Sequence, residues 1–214
     1  MTKYAFTQLV DIEQLRHLLE SHHNLTGMAY GLFDTDENNL IAVGRQDICV
    51  QYHRVNPVSC WYCHESDTHI KVHLRNFQGD FLEYRCKNGM IDIAIPIIID
   101  GTHMATLFTG HFFYDDDLPD KEFFLTQAWA LGFDPDGYLD ALDDVPVFSR
   151  EYVRKNVLFL RNMVNLLAEK GIIYLKQAWE AEERKQAEKS SYRRVEGLRA
   201  LVDSTHDPTC TLRL

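Results

Sequence analysis

MIDIAIPIIIDGTHMATLFTGHFFY, residues Met90 to Tyr114, decides the fold. Two β-rich apolar runs flank Asp100-Gly101, and an acidic-Gly pair between such runs is a strong hairpin signal. Just upstream, FLEYRC (81–86) alternates as a strand, and Asn88-Gly89 supplies the turn into the first run. Further back, MAYGLFD (28–34) and LIAVG (40–44) read as two short strands joined by the polar TDENN. Five strands, two and then three, separated by helical segments predict an α+β domain with a five-stranded antiparallel sheet.

The helices fall around this sheet. In 11–23, Ile12, Leu15, Leu18 and Leu19 keep helical spacing, with Asp11 as N-cap and Gly27 as the stop. Asp47 to Arg54 and Pro57 to Phe77 read as helical, followed later by Asp120 to Leu131 and Pro135 to Leu142. From Ser149 onward, Val153, Val157, Leu160, Val164 and Leu167 recur at alternating steps of four and three, an a/d seam. Its first half is expected to pack back on the sheet. The seam thins through Gly171, Tyr174, Ala178 and Ala181 into the charged EAEERKQAEK, which fits either a solvated helix or a dimeric coiled coil. The expected organisation is a folded domain over 9–167, a coiled-coil linker over 168–200, and a tail over 201–214 that is disordered or begins a next domain.

Composition narrows the function classes. The 214 residues are 45% hydrophobic and 25% charged, ordinary globular usage, and 22 basic against 32 acidic residues give a net charge of −10. That sign disfavours nucleic acid and anionic membranes as partners. No apolar run is long enough to cross a bilayer and no signal peptide is visible, so a soluble cytoplasmic protein is expected. Catalytic signatures are missing: there is no glycine-rich phosphate loop, GxSxG, HExxH or kinase motif. Asp115-Asp116-Asp117 lacks the offsets of a calcium loop and reads as a solvated turn.

The cysteines are the most informative chemical cluster. Cys49, Cys60, Cys63 and Cys86 lie close together in the chain, whereas Cys210 stands alone. Cys60-Trp61-Tyr62-Cys63 is a CxxC at the opening of a helix, and four thiolates suffice for zinc or an iron–sulfur cluster. The spacing is not that of a zinc ribbon, and one or two buried structural cysteines would explain it as well. His53, four residues after Cys49, and His111 are the substitute ligands. His69 and His73 share a helix face and read as solvated. Aromatic density around the hairpin suggests a second site. Strict alternation puts Phe108, Gly110 and Phe112 on one face and His111 and Phe113 on the other. The expectation is a small, mostly apolar cavity between sheet and helices, lined by Tyr30, Trp61, Phe108 and Phe112, with His111 or Asp92 orienting the ligand.

DICVQYHRVNP, CWYCHESD and YRCKNGMIDIAIPIIIDGTHMATLFTGHFF together resemble the PocR sensory domain, a PAS-like ligand-binding module, from about Leu9 to Leu167. The matching positions are Cys49, Cys63, Cys86, Gly89, Asp92, Pro96, Gly101 and Gly110. Cys60 is not part of the pattern, and the family usually carries glutamine where His111 stands. The resemblance implies a sensor of small hydrocarbon derivatives such as propanediol or glycerol, placed ahead of a histidine kinase, cyclase or transcription-regulator output. QAWEAEERKQAEKSSYRRVEGLRALVDS is similar to the helical linker leading into a following PAS domain, which implies a longer protein with a downstream output domain. The leading reading is therefore a non-catalytic sensor that binds a small alcohol or diol, a thiolate-held metal, or both. It would signal through its C-terminal helix as a homodimer. The alternatives are a redox switch at Cys60 and Cys63, and a metal-dependent enzyme using His53 or His111 for proton transfer.

Overall fold

The computed structural model describes residues 4–74, 77 and 79–205, with backbone only at 69, 71, 72 and 201–205. The expectations for His69, for Cys210 and for the end of the tail fall outside these residues. The strands are β1 (Ala29–Asp34), β2 (Asn39–Val43), β3 (Leu82–Arg85), β4 (Ile91–Ile99), β5 (Thr102–Tyr114) and β6 (Val147–Phe148). They form one sheet in the order β2-β1-β5-β4-β3, antiparallel throughout except for β6, which pairs in parallel with the end of β5. The architecture is α+β as expected. The two-residue β6 is the addition, too short to carry a periodic signal.

The hairpin turn forms where Asp100-Gly101 stands, both residues at positive φ (49° and 74°) as a tight primed turn requires. Pro96 is tolerated inside β4 because β3 pairs only with Ile91–Ala94, which leaves the strand an edge beyond that point. The helices of the described residues are α1 (Phe6–Leu9), α2 (Ile12–Thr26), α3 (Pro57–Leu74), α4 (Lys121–Leu131), α5 (Pro135–Asp143) and α6 (Arg150–Thr205). Asp11 caps α2 by accepting from the Glu13 and Gln14 amides, and Gly27 ends it in the left-handed conformation. Between β2 and α3, Ile48–His53 winds as a π-helical turn, a rare geometry that recurs at functional sites.

The chain divides into two compact units, 1–169 and 170–214. In the first, Val153, Val157, Leu160, Val164 and Ala168 of α6 are buried. Beside them Phe159 stacks on His22 of α2, and the Tyr152 hydroxyl bonds the Thr26 carbonyl. The second unit is helical as far as residue 205, with Tyr174, Trp179 and Tyr192 exposed. No helix of the described residues is long and apolar enough to cross a membrane.

Candidate functional site

One register irregularity organises the site. In the β4–β5 ladder Ile91 faces Phe112 while Asp92 faces Gly110, so His111 is an extra residue in β5. It sits at φ 59°, a conformation non-glycine residues rarely adopt, and marks a β-bulge. Asp92 holds the bulge: its Oδ1 accepts the His111 amide at 3.1 Å and lies 3.7 Å from His111 Nε2. Gly110 is required opposite it, because a Cβ there would overlap the Asp92 carboxylate.

The bulge also corrects the expected faces. A one-residue insertion inverts every side chain beyond it, so His111 stays with Phe108 and Gly110 on the cavity face. Phe112 turns away to pack on Tyr114 and Phe148. Phe113 enters the core beside Cys49, Met90, Phe124 and Tyr138.

On that face lies a cavity of about 290 Å³. β1 and β2 supply Gly31, Phe33 and Ala42, and β5 supplies Phe108 through His111. Phe33 meets Phe108 edge to face, with ring centres 5.6 Å apart. α3 contributes His64, Asp67 and Thr68, which the i, i+3, i+4 spacing places on one helix face. Asn56 fixes the start of that helix by accepting the Val58 and Ser59 amides, and its own amide bonds the Leu131 carbonyl at the end of α4. Arg45, Arg54, Glu37, Tyr84 and Asp92 complete the wall. The cavity is therefore charged as well as aromatic.

Of the expected lining residues, Tyr30, Asp92, Phe108 and His111 border this cavity. Tyr30 contributes little side chain to it, because its hydroxyl bonds His22 (2.5 Å) and Thr26 (3.3 Å) on the α2 side. Trp61 and Phe112 do not line it. Trp61 is 58% exposed with the Lys87 ammonium 5.5 Å above its ring, since it lies on the outer face of α3. Arg45, Arg54, His64 and Asp67 were not legible as a set; only the α3 spacing signals two of them.

Next to the cavity, buried polar groups close a ring. His53 Nε2 lies 2.6 Å from the Tyr138 hydroxyl, which donates to Gln127 Oε1 at 2.7 Å. Gln127 Nε2 donates to Asn88 Oδ1, and the Asn88 amide donates to the Ser59 carbonyl and to Cys63 Sγ at 3.2 Å. Ser59 Oγ donates back to the His53 carbonyl. Tyr138 spends its one proton on Gln127, so His53 must donate through Nε2, which leaves Nδ1 bare. That Nδ1 is buried with no described partner, and burial, then His111 and Arg54, hold the imidazole pKa down to about 4. His53 is neutral at pH 7.

The thiols do not form the expected metal centre. Cys49, Cys60, Cys63 and Cys86 are all free. Among the described residues no group of three or more His, Cys, Asp or Glu is placed to hold an ion, whereas zinc and iron–sulfur sites need several convergent donors. Cys49 belongs to the apolar cluster of Met90, Phe113 and Tyr138, with Cys86 packed against it. Burial, followed by the nearby Asp92 carboxylate, pushes Cys86 up to about 12 and raises Cys49 too; burial also raises Cys63. In this arrangement burial disfavours the thiolate form at Cys49, Cys63 and Cys86. The Asp92 carboxyl is itself raised by burial, against the opposing pull of His111.

A sheet face roofed by a π-helical turn and a helix, enclosing a small charged cavity, defines a small-ligand-binding α+β module. The family model described as the sensory domain found in PocR matches residues 8–172, and the chain belongs to that family. No curated protein and no solved structure matches the chain.

Proposed function

We propose that this chain senses a small molecule in the β-sheet cavity and passes its state through α6, as a homodimer, to an output domain. The observation that carries this reading is the cavity itself, which lies within the family match and is walled by Asp92 and His111 of the β-bulge. A volume of about 290 Å³ suits a ligand of few heavy atoms. For a small alcohol or diol, ligand efficiency limits the affinity to roughly micromolar or weaker. Signalling requires only that the ligand favour one of two α6 arrangements, by a coupling of about 1–3 kcal/mol.

The test is a thermal-shift panel of short alcohols, diols, carbonyl compounds and acids at millimolar concentration. At least one should raise Tm saturably, as a ligand of the native state must, and Ala42→Phe, which fills the cavity from β2, should abolish the rise. A panel in which nothing raises Tm, or in which Ala42→Phe leaves the rise intact, contradicts the reading.

A further inference from the structure

Resting on that reading of the cavity, we infer that its ligand carries a carboxylate, received by the guanidinium groups of Arg54 and Arg45. Both line the cavity. Arg54 follows the π-helical turn and closes it through its own amide, which donates to the Cys49 carbonyl at 2.9 Å. Arg45 follows Gly44, whose φ of 68° turns the chain out of β2. The backbone thus brings both side chains to one opening from separate segments.

What distinguishes them is their place: both are exposed at the cavity, where a ligand would compete with water for their donors. Neither guanidinium makes a hydrogen bond or ion pair with a described residue. By contrast, Arg16 pairs with Glu13, Arg85 with Asp117, Arg150 with Asp116 and Arg161 with Asp80. The acids of the cavity are already engaged: Asp92 accepts the His111 amide, and Glu37 and Asp67 each have partners. The two guanidinium groups are therefore the donors of the wall open to a ligand. A guanidinium offers five N–H groups in a planar fork, no acceptor, and a geometry that matches a carboxylate edge to edge. Arg54's charge also reaches the cavity floor, where it opposes the burial-driven rise of Asp92 and adds to the burial-driven fall of His53.

The rest of the wall sets the body of the ligand. Phe33 and Phe108 present aromatic surface beside Ala42, while His111 keeps a buried Nδ1 with no described partner. A carboxylate of a few carbons would place its anionic end on the arginines and its chain on the two phenylalanines. A hydroxyl at C2 would then meet His111. A neutral diol satisfies the histidine and offers the guanidinium groups no anion in place of water.

The experiment is titration calorimetry of the full 214-residue chain with lactate, propanoate, 1,2-propanediol and inorganic phosphate, repeated on Arg54→Met and Arg45→Met. Lactate or propanoate should bind, and each variant should weaken that binding by about 10-fold to 100-fold, the loss of a charge-assisted pair, with Tm unchanged. Arg54→Lys should recover only part of it. Binding of the diol alone, or of carboxylates with unchanged affinity in both variants, overturns the carboxylate assignment and leaves the sensor reading intact. Binding of phosphate alone does the same. Absence of binding by any of the four overturns the assignment, and the Tm panel then reports on the sensor reading separately.

Discussion

Gly110→Ala should destabilise the domain far more than an exposed strand substitution, because the bulge depends on the carboxylate that occupies the glycine's empty side. An alanine Cβ would overlap Asp92, so either the carboxylate leaves or the strands separate. Overpacking of this kind costs about 1–3 kcal/mol, and loss of the Asp92 to His111 amide bond adds about 1–2 kcal/mol. The sum, about 2–5 kcal/mol, corresponds to a fall in Tm of roughly 5–15 °C for a domain of this size. Thermal denaturation of four proteins tests the cause: wild type, Gly110→Ala, Asp92→Ala and the double variant. Asp92→Ala alone orphans the His111 amide at a cost of about 1–3 kcal/mol. Asp92→Ala removes the carboxylate overlap but leaves the backbone Cα of residue 92 at 2.8 Å from the added Cβ, so the double variant should lose less than the sum of the two single changes. That shortfall is a coupling of roughly 1–3 kcal/mol, because the amide bond is lost once and not twice and the carboxylate overlap is relieved. Additive losses, or a Gly110→Ala shift below about 1 °C, would refute the packing account of the bulge.

Stability should fall as pH drops from 6.5 toward 4, because unfolded His53 gains its proton at 6.5 while the buried imidazole resists until about 4. The unfolded state binds the extra proton in that window, which costs the fold up to roughly 3 kcal/mol. Urea unfolding at several pH values should show the slope, and His53→Gln should flatten it; Asp92, raised by burial, acts in the opposite sense. Chelator treatment of the purified chain should leave Tm unchanged within about 1 °C, since metal-dependent folds lose their stability with the ion; a large fall would restore the thiolate site. Truncation after Gly171 should weaken dimerisation measured by sedimentation velocity. A monomer at tens of micromolar for the whole chain would remove the dimer.

The strands, the Asp100-Gly101 turn and the α2 cap were legible because each rests on local chemistry: alternation, a turn pair needing positive φ, and a side chain accepting amides. The bulge at His111 was not. It is set by a carboxylate nineteen residues away in β4, and no period within β5 announces an inserted residue. That single insertion misassigned Phe112 and His111 together. Trp61 misled for a related reason. Its CxxC context drew attention, but which face of α3 is covered depends on tertiary packing, and the covered side carries Ser59, Ser66 and Ile70. The cysteines lie close in the sequence, and the structure packs Cys49 and Cys86 into one apolar cluster. Small thiols suit such packing equally well. Nothing local marks Arg54 and Arg45, because an arginine beside a turn looks the same at a cavity mouth as elsewhere on the surface.

The central claim, that the cavity on the bulged face receives the ligand, is tested most directly by mapping backbone amide chemical shifts of the full chain. The titrant would be the panel member that raises Tm most. Saturable shifts should concentrate at Gly31 and Ala42 in β1 and β2, at His64 and Thr68 in α3, and at Phe108 to His111 in β5. Shifts centred elsewhere, at Trp61 or along the exposed helix beyond residue 170, would contradict it.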